Sequence, residues 1–199
     1  IPPVFELVEW LDGPPEEKWN GVLFANEVID ALPTPRFTLR EGEVFEEHVA
    51  LDGEGRFVRM ERPADALLAA SVRHVERYLE SPFVDGYRSE LLPQLPYWLQ
   101  AVMGGLQAGA MLFVDYGYPR REYYLPDRDG GTLRAFYRHR VHNDAYLWPG
   151  LQDLTASVDF TALAEAGTQA GFELEGYCTQ AGFLLGNGFQ LLALAHDDA

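Results

Sequence analysis

Two apolar runs that each break into polar or acidic residues constrain this chain more than any other feature. The first is Gly21-Val22-Leu23-Phe24-Ala25, followed by Asn26-Glu27-Val28-Ile29-Asp30-Ala31-Leu32-Pro33; the second is Ala110-Met111-Leu112-Phe113-Val114, followed by Asp115-Tyr116-Gly117-Tyr118-Pro119. A continuous apolar run bounded by turn residues reads as a strand covered on both faces of a parallel sheet, and in open α/β sheets ligands sit just beyond the carboxyl ends of such strands. Asn26, Glu27, Asp30 and Asp115 therefore stand where a ligand would be. Any one of them is as well explained as a helix cap. Two similar ends in one chain favour a site.

Around these runs the pattern is that of an α/β core carrying two insertions. Residues 5–11 read as a strand ended by Asp12-Gly13-Pro14-Pro15, and residues 21–27 as the next. Short alternating segments at 37–40, 44–51 and 56–60, separated by Glu41-Gly42-Glu43 and Asp52-Gly53-Glu54-Gly55, predict an antiparallel meander. Leu68, Val72, Val75 and Leu79 recur at helical spacing. A second helix over 93–108 leads into a strand over 110–116. Beyond Pro119 lies a segment rich in Tyr, Arg and His, in which residues 132–142 can alternate as one strand with Arg134, Arg138 and Arg140 on one face. Asp159 is placed to cap a helix, with Val158 and Leu163 as its hydrophobic staple and Gly171 at its close. Residues 174–180 and 189–195 read as two final strands. The expected division is a single partial domain over 1–199, with a core at 1–35, 64–119 and 153–199 and insertions at 36–63 and 120–152.

The chain has 199 residues, 47% of them hydrophobic and 13% aromatic, which is enough apolar material for a single sizeable core or for one core plus an appendage. No apolar run is long enough to span a bilayer, and no basic-then-apolar leader opens the sequence. The single cysteine, Cys178, fits a reducing compartment and reads as a small buried strand residue rather than a nucleophile. With 31 acidic residues against 15 Lys and Arg, the formal net charge is −16. Such a balance opposes nucleic-acid binding and favours a cationic partner.

Four blocks carry a family resemblance: residues 26–33, Gly86-Tyr87-Arg88-Ser89-Glu90, residues 114–124, and residues 149–160, which begin Pro149-Gly150-Leu151-Gln152-Asp153. In this order they resemble successive motifs of the MidA family of class I S-adenosylmethionine-dependent methyltransferases. The resemblance implies a Rossmann-like sheet, S-adenosylmethionine as cofactor and methylation of arginine on a protein substrate. It further implies a respiratory complex I subunit as partner for eukaryotic members, and it admits a homodimer. Location follows the source: the cytoplasm in bacteria, the mitochondrial matrix in eukaryotes. Methyltransferases of this class open with a strand, a Gly-rich turn and a helix, then a second strand whose terminal acid binds the ribose. Neither unit is found here, so the chain corresponds to the family's C-terminal part. The step from Gly182-Phe183-Leu184-Leu185 almost directly to Phe189-Gln190-Leu191 also leaves out a helical stretch that family members carry.

Methyl transfer to arginine explains carboxylates at strand ends. A guanidinium stays protonated at ordinary pH and has no free lone pair, so its charge must be drawn to one nitrogen before another can attack. Carboxylates in bidentate contact do this and align the nucleophile with the methyl group. Glu27, Glu90 and Asp115 are the catalytic candidates, with Asn26 and Asp30 on the cofactor side. Residues assigned to the substrate side are Tyr116, Tyr118, Arg88, His139 and Asp159, the tyrosines offering faces for cation–π contact. A simpler account makes Glu90 part of a helix start with an internal ion pair and Asp115 part of a solvated turn. No metal site is expected, since His139 and His142, three apart on a strand, point to opposite faces. Ser89 lacks the glycines of a nucleophile elbow. Two readings stay open: a protein-arginine methyltransferase, and a non-catalytic assembly module that keeps the sheet without the cofactor half.

Overall fold

The structure is a computed structural model that describes residues 4–190. Its central element is a parallel pair, β1 (Trp19–Asn26) beside β6 (Leu106–Val114), in register from Gly21 opposite Gly109 to Asn26 opposite Val114. Glycine is required at the join, because a Cβ on Gly109 would run into the Gly21 carbonyl. Both strands point their carboxyl ends the same way, which brings the two polar termini side by side.

One face of this pair is packed and the other is open. Leu23, Met111 and Phe113 lie against a core formed by Ile29, Leu95, Leu99, Met103, Val158, Leu163 and Ala166. Helices α2 (Leu95–Met103) and α4 (Phe160–Gln169) supply most of that core. On the opposite face Val22 and Phe24 are 67% and 62% exposed. Among the described residues helices pack on one side only, where the sequence predicts strands covered on both faces.

A second core sits under the meander. Strands β2 (Arg36–Arg40), β3 (Glu43–Leu51) and β4 (Phe57–Pro63) form it as expected, and β5 (Arg88–Glu90) adds to the free edge of β2, giving the order β4-β3-β2-β5. Phe37, Leu39 and Val44 pack against Leu68, Val72 and Val75 of α1 (Ala66–Glu76), joined by Tyr87, Tyr123 and Tyr124. Asp65 starts α1 by accepting the Leu68 amide at 2.8 Å.

The remaining elements tie these cores together. Strand β7 (Gly117–Tyr118) pairs in parallel with β11 (Val158–Asp159), and the four-residue helix α3 (Arg120–Tyr123) follows β7. Strands β8 (Arg134–Tyr137), β9 (Arg140–His142) and β10 (Asp153–Thr155) form a small antiparallel sheet. Asp159 caps α4 through Oδ1, at 2.9 Å from the Thr161 amide and 3.1 Å from the Ala162 amide. Gly171, at φ +92°, ends the turn beyond it.

Several expectations are corrected. Residues 132–142 are a hairpin rather than one strand, because Arg138 and His139 both adopt positive φ, 47° and 62°, in a two-residue turn. Arg140 lies opposite Tyr137, so Arg134, three residues earlier on the strand, faces the other way. The helix expected over 93–108 stops at Met103, since Gly104-Gly105 ends it and the Gly105 carbonyl accepts the Trp19 amide at 2.8 Å. Residues 5–11 form no strand: a 3₁₀ turn over Val4–Leu7 runs into irregular chain. Residues 174–180 find no strand edge to pair with and stay irregular up to α5 (Gln180–Gly186), leaving Cys178 exposed rather than buried. The strand expected over 189–195 lies outside the described residues from 191 onward. No helix of the described residues is long and apolar enough to cross a membrane.

Candidate active site

The site is built where β1 and β6 end. Glu27 leaves β1 with φ +52°, a left-handed conformation that non-glycine residues adopt rarely, while its amide still donates to the Val114 carbonyl at 2.8 Å. The backbone thus turns sharply just as the carboxylate emerges, and the Tyr116 hydroxyl donates to Glu27 Oε1 at 3.2 Å. That bond, with the Glu27 charge, raises the Tyr116 phenol above its ordinary value.

Asp115 is the structural hub of the pair. Its Oδ2 accepts the amides of Ile29 at 3.0 Å and Asp30 at 3.3 Å, and its Oδ1 accepts the Tyr116 amide at 2.8 Å. One carboxylate therefore fixes the turn after β1 to the end of β6. Burial raises Asp115 above its ordinary value against the pull of these amides. Asp30 is more enclosed, at 7% exposure, and its carbonyl accepts the Ala156 amide at 3.0 Å. Burial first, then the charges of Asp115 and Glu27, raise it as well. Asn26 ends β1 on its open face.

The structure brings Asn26, Glu27, Asp30, Asp115 and Tyr116 together, and it sends the other candidates elsewhere. Glu90 is fully buried, with Oε1 receiving Arg36 Nε at 2.8 Å and Oε2 receiving the Thr132 amide at 2.6 Å and the Thr132 hydroxyl at 3.1 Å. Three donors hold this buried carboxylate in place, and the structure does not bring it to the ends of β1 and β6 with the other catalytic candidates. It joins β5 to the loop before β8 instead. Gly131, at φ +78°, is glycine for the same reason, since a Cβ there would collide with the Glu90 carboxylate.

Arg88 lies on β5 in the meander sheet, its Nε 4.0 Å from Glu47. Tyr118 is covered by the Arg128 guanidinium at 4.0 Å from its ring centre. His139 occupies the exposed hairpin tip. Asp159 is spent on the cap of α4 and on Arg120, whose Nε lies 3.2 Å from Oδ2. No group of metal-ligating side chains forms among the described residues.

Arg120 is the residue that sequence reasoning passed over. It is 4% exposed, and its guanidinium forks onto Glu165 at 2.7 and 2.5 Å while its Nε reaches Asp159. Burial opposes the charge on Arg120, but the two carboxylates outweigh it and hold its pKa up. A cavity of about 260 Å³ between the two cores is lined by this group together with Ile29, Thr34 and His74. The only sequence signal for Arg120 was its place directly after Pro119, at the start of a helix.

A family model for S-adenosyl-L-methionine-dependent methyltransferases matches residues 2–178. The chain belongs to this MidA-type methyltransferase family. Among relatives, the zebrafish (Danio rerio) protein named protein arginine methyltransferase NDUFAF7, mitochondrial, is 32% identical over 162 residues, covering 75% of this chain and 33% of that protein. The rat (Rattus norvegicus) protein of the same name is 31% identical over 147 residues, covering 70% and 29%. A COG1565 superfamily member from Burkholderia thailandensis, solved bound to S-adenosyl-homocysteine, superposes with a TM-score of 0.82 at 40% identity, over 92% of this chain and 46% of that one. The chain thus spans about a third of the length of these curated relatives.

Among MidA-type methyltransferases, then, this chain carries a Rossmann-like sheet edge with its strand-end carboxylates. Those residues fit a cationic sulfonium cofactor: three acids converge, and one of them keeps a buried oxygen, Asp30 Oδ1, without a partner.

Proposed function

We propose that the complete protein is an S-adenosylmethionine-dependent methyltransferase acting on arginine in a protein partner, and that this chain supplies the substrate-facing acids and one side of the cofactor cleft. The convergence of Glu27, Asp30 and Asp115 at the ends of two parallel strands carries the reading. The names of the relatives support arginine as the acceptor. A respiratory complex I subunit is the partner that the family resemblance implies, and a net charge of −16 suits a cationic target segment better than a nucleic acid.

The cofactor supplies an electrophilic methyl group when bound. Glu27 holds the guanidinium, drawing its positive charge toward the nitrogens it contacts and leaving another free to attack. The Tyr116 hydroxyl fixes the Glu27 carboxylate, and Tyr116, 65% exposed, offers its ring to the arginine. Asp115 keeps both strand ends in register through its three amide contacts. Asn26 and Asp30 line the cofactor side. The open face with Val22 and Phe24 is where the remainder of the fold packs.

The test is incubation of the complete protein with tritiated cofactor and cell lysate, with and without nuclease, followed by hydrolysis of the labelled material. Label in methylarginine is expected, and Glu27→Gln should lower it by about 10²–10³-fold with little change in melting temperature. Label confined to nucleotides or lipids ends the reading. Near-wild-type turnover of Glu27→Gln removes Glu27 from the mechanism.

A further inference from the structure

Strand β4 closes one side of the meander sheet, in the order β4-β3-β2-β5, and its far edge is free among the described residues. The phase of its ladder decides which backbone groups lie on that edge. The Asp52 amide donates to the Arg56 carbonyl at 2.9 Å just before β4, and the Ala64 amide donates to the Val44 carbonyl at 3.0 Å just after it. Hydrogen-bonded positions alternate along an antiparallel strand, so Val58, Met60 and Arg62 turn their backbone groups toward β3, opposite Ala50, His48 and Glu46. Phe57, Arg59 and Glu61 turn theirs outward, and no backbone group of the described residues pairs with them.

Natural sheets blunt a free edge with lysines, bulges or a covering segment. β4 has no lysine and runs its seven residues against β3 without a break in register, with a proline only at its last position. Its outward positions carry opposite charges. Arg59 lies 3.7 Å from Glu47 and 3.8 Å from Glu61, too far for a hydrogen bond to either. Glu61, held by Arg40 at 2.9 and 3.1 Å, also stands directly opposite Glu47 on β3, a like-charge pair that a further cation on its outer side offsets.

We propose that β4 is the edge at which two copies of this chain pair, antiparallel and centred on Met60. That register sets Arg59 against the partner's Glu61 and Glu61 against the partner's Arg59, with the outward backbone groups of each copy donating to and accepting from the other. Centring the pair on Arg59 or on Glu61 sets like charges against each other instead. The Phe57 amide reaches the partner's Pro63 carbonyl, so the missing proline N–H falls at the end of the join. Met60 meets the partner's Met60 on the two-fold axis, where non-hydrogen-bonded positions bring side chains closest. The join uses no residue from the ends of β1 and β6, so it stands independently of the methyl-transfer reading.

Sedimentation of the complete protein in the micromolar range should show a dimer. Arg59→Glu and Glu61→Arg each turn both cross-strand pairs into like charges and should weaken that dimer at least about tenfold. Mixed together, the two variants offer opposite charges again, and the mixture should recover the dimer that neither forms alone. Mixing does not cure damage within one chain, so this recovery isolates the pairing. On mild oxidation Met60→Cys should give a disulfide-linked dimer, because non-hydrogen-bonded cross-strand positions lie about 4.5 Å apart, within disulfide range. Glu54→Cys, at the exposed hairpin turn before β4, should not. A wild-type protein that stays monomeric, a mixture of folded variants no more dimeric than its components, or a Met60→Cys protein that cross-links no better than Glu54→Cys overturns the proposal.

Discussion

Replacing Arg120 with Met tests how the two cores are held together. Arg120 and Asp159 have side chains 5% and 9% exposed, so their 3.2 Å contact is a buried ion pair. Removing one partner of such a pair leaves the other charge uncompensated, at about 3–5 kcal/mol. The lower end, about 3 kcal/mol, applies because two amides still bind Asp159 Oδ1 and hold part of its charge. Glu165 is 35% exposed, so solvent takes over its half of the fork and its loss adds no more than about 0.5 kcal/mol. Asp159→Asn keeps a capping oxygen and leaves Arg120 on Glu165, for a cost of about 1 kcal/mol. In the double variant no buried charge is stranded, so its cost should fall short of the sum of the singles by about 2 kcal/mol. Urea unfolding monitored by tryptophan fluorescence measures all three, with the midpoint moving at unchanged slope. An Arg120→Met cost below about 1 kcal/mol, or strict additivity in the double variant, refutes the account.

Three further outcomes follow from the geometry. Gly131→Ala forces a Cβ into the Glu90 carboxylate at a residue with φ +78°, and should cost about 3 kcal/mol or more in the same unfolding assay. Phe24→Asp should change the stability of this chain by less than about 0.5 kcal/mol, since Phe24 is 62% exposed, yet, on the proposal that the remaining fold packs against that face, should abolish soluble expression or cofactor binding of the complete protein. Asp30 has a folded pKa above its unfolded value, so its contribution to stability is full below about pH 4 and is lost as pH rises through the folded value. Asp30→Asn should therefore melt above wild type near about pH 8 and converge with it in acid; the opposite order in a thermal-melt series across pH refutes the raised value.

Features encoded by local chemistry were legible in the sequence. The hairpin turns at Glu41-Gly42 and around Gly53 and Gly55, the Asp159 cap with its staple, and the polar ends of β1 and β6 all depend on residues within a few positions of one another. Misread elements depend on partners. Residues 174–180 have strand composition, but a strand exists only in a ladder, and no described edge receives them. The Arg138-His139 turn carries none of the Asn or Gly residues that usually announce positive φ, so residues 132–142 looked continuous.

The same division separates the carboxylates of the site. Glu27, Asp30 and Asp115 could be placed from sequence because parallel strands end at one edge, and the acids follow the apolar runs directly. Glu90 looked equivalent, but its partners are Arg36, 54 positions away, and Thr132, 42 positions away, and neither pairing has a local signature. Satisfaction by donors then distinguishes acids of the same type. Glu90 is buried and held by three donors, so it holds structure; Glu27 is exposed on a strained turn with one phenol donor, so it can exchange that contact for a guanidinium. Asp30 is buried with an oxygen to spare, which in a protein interior is stable only when a proton or an incoming donor occupies it. Chain position alone therefore brings Glu27 and Asp30 to the same strand end, while burial and donors make them different acids there.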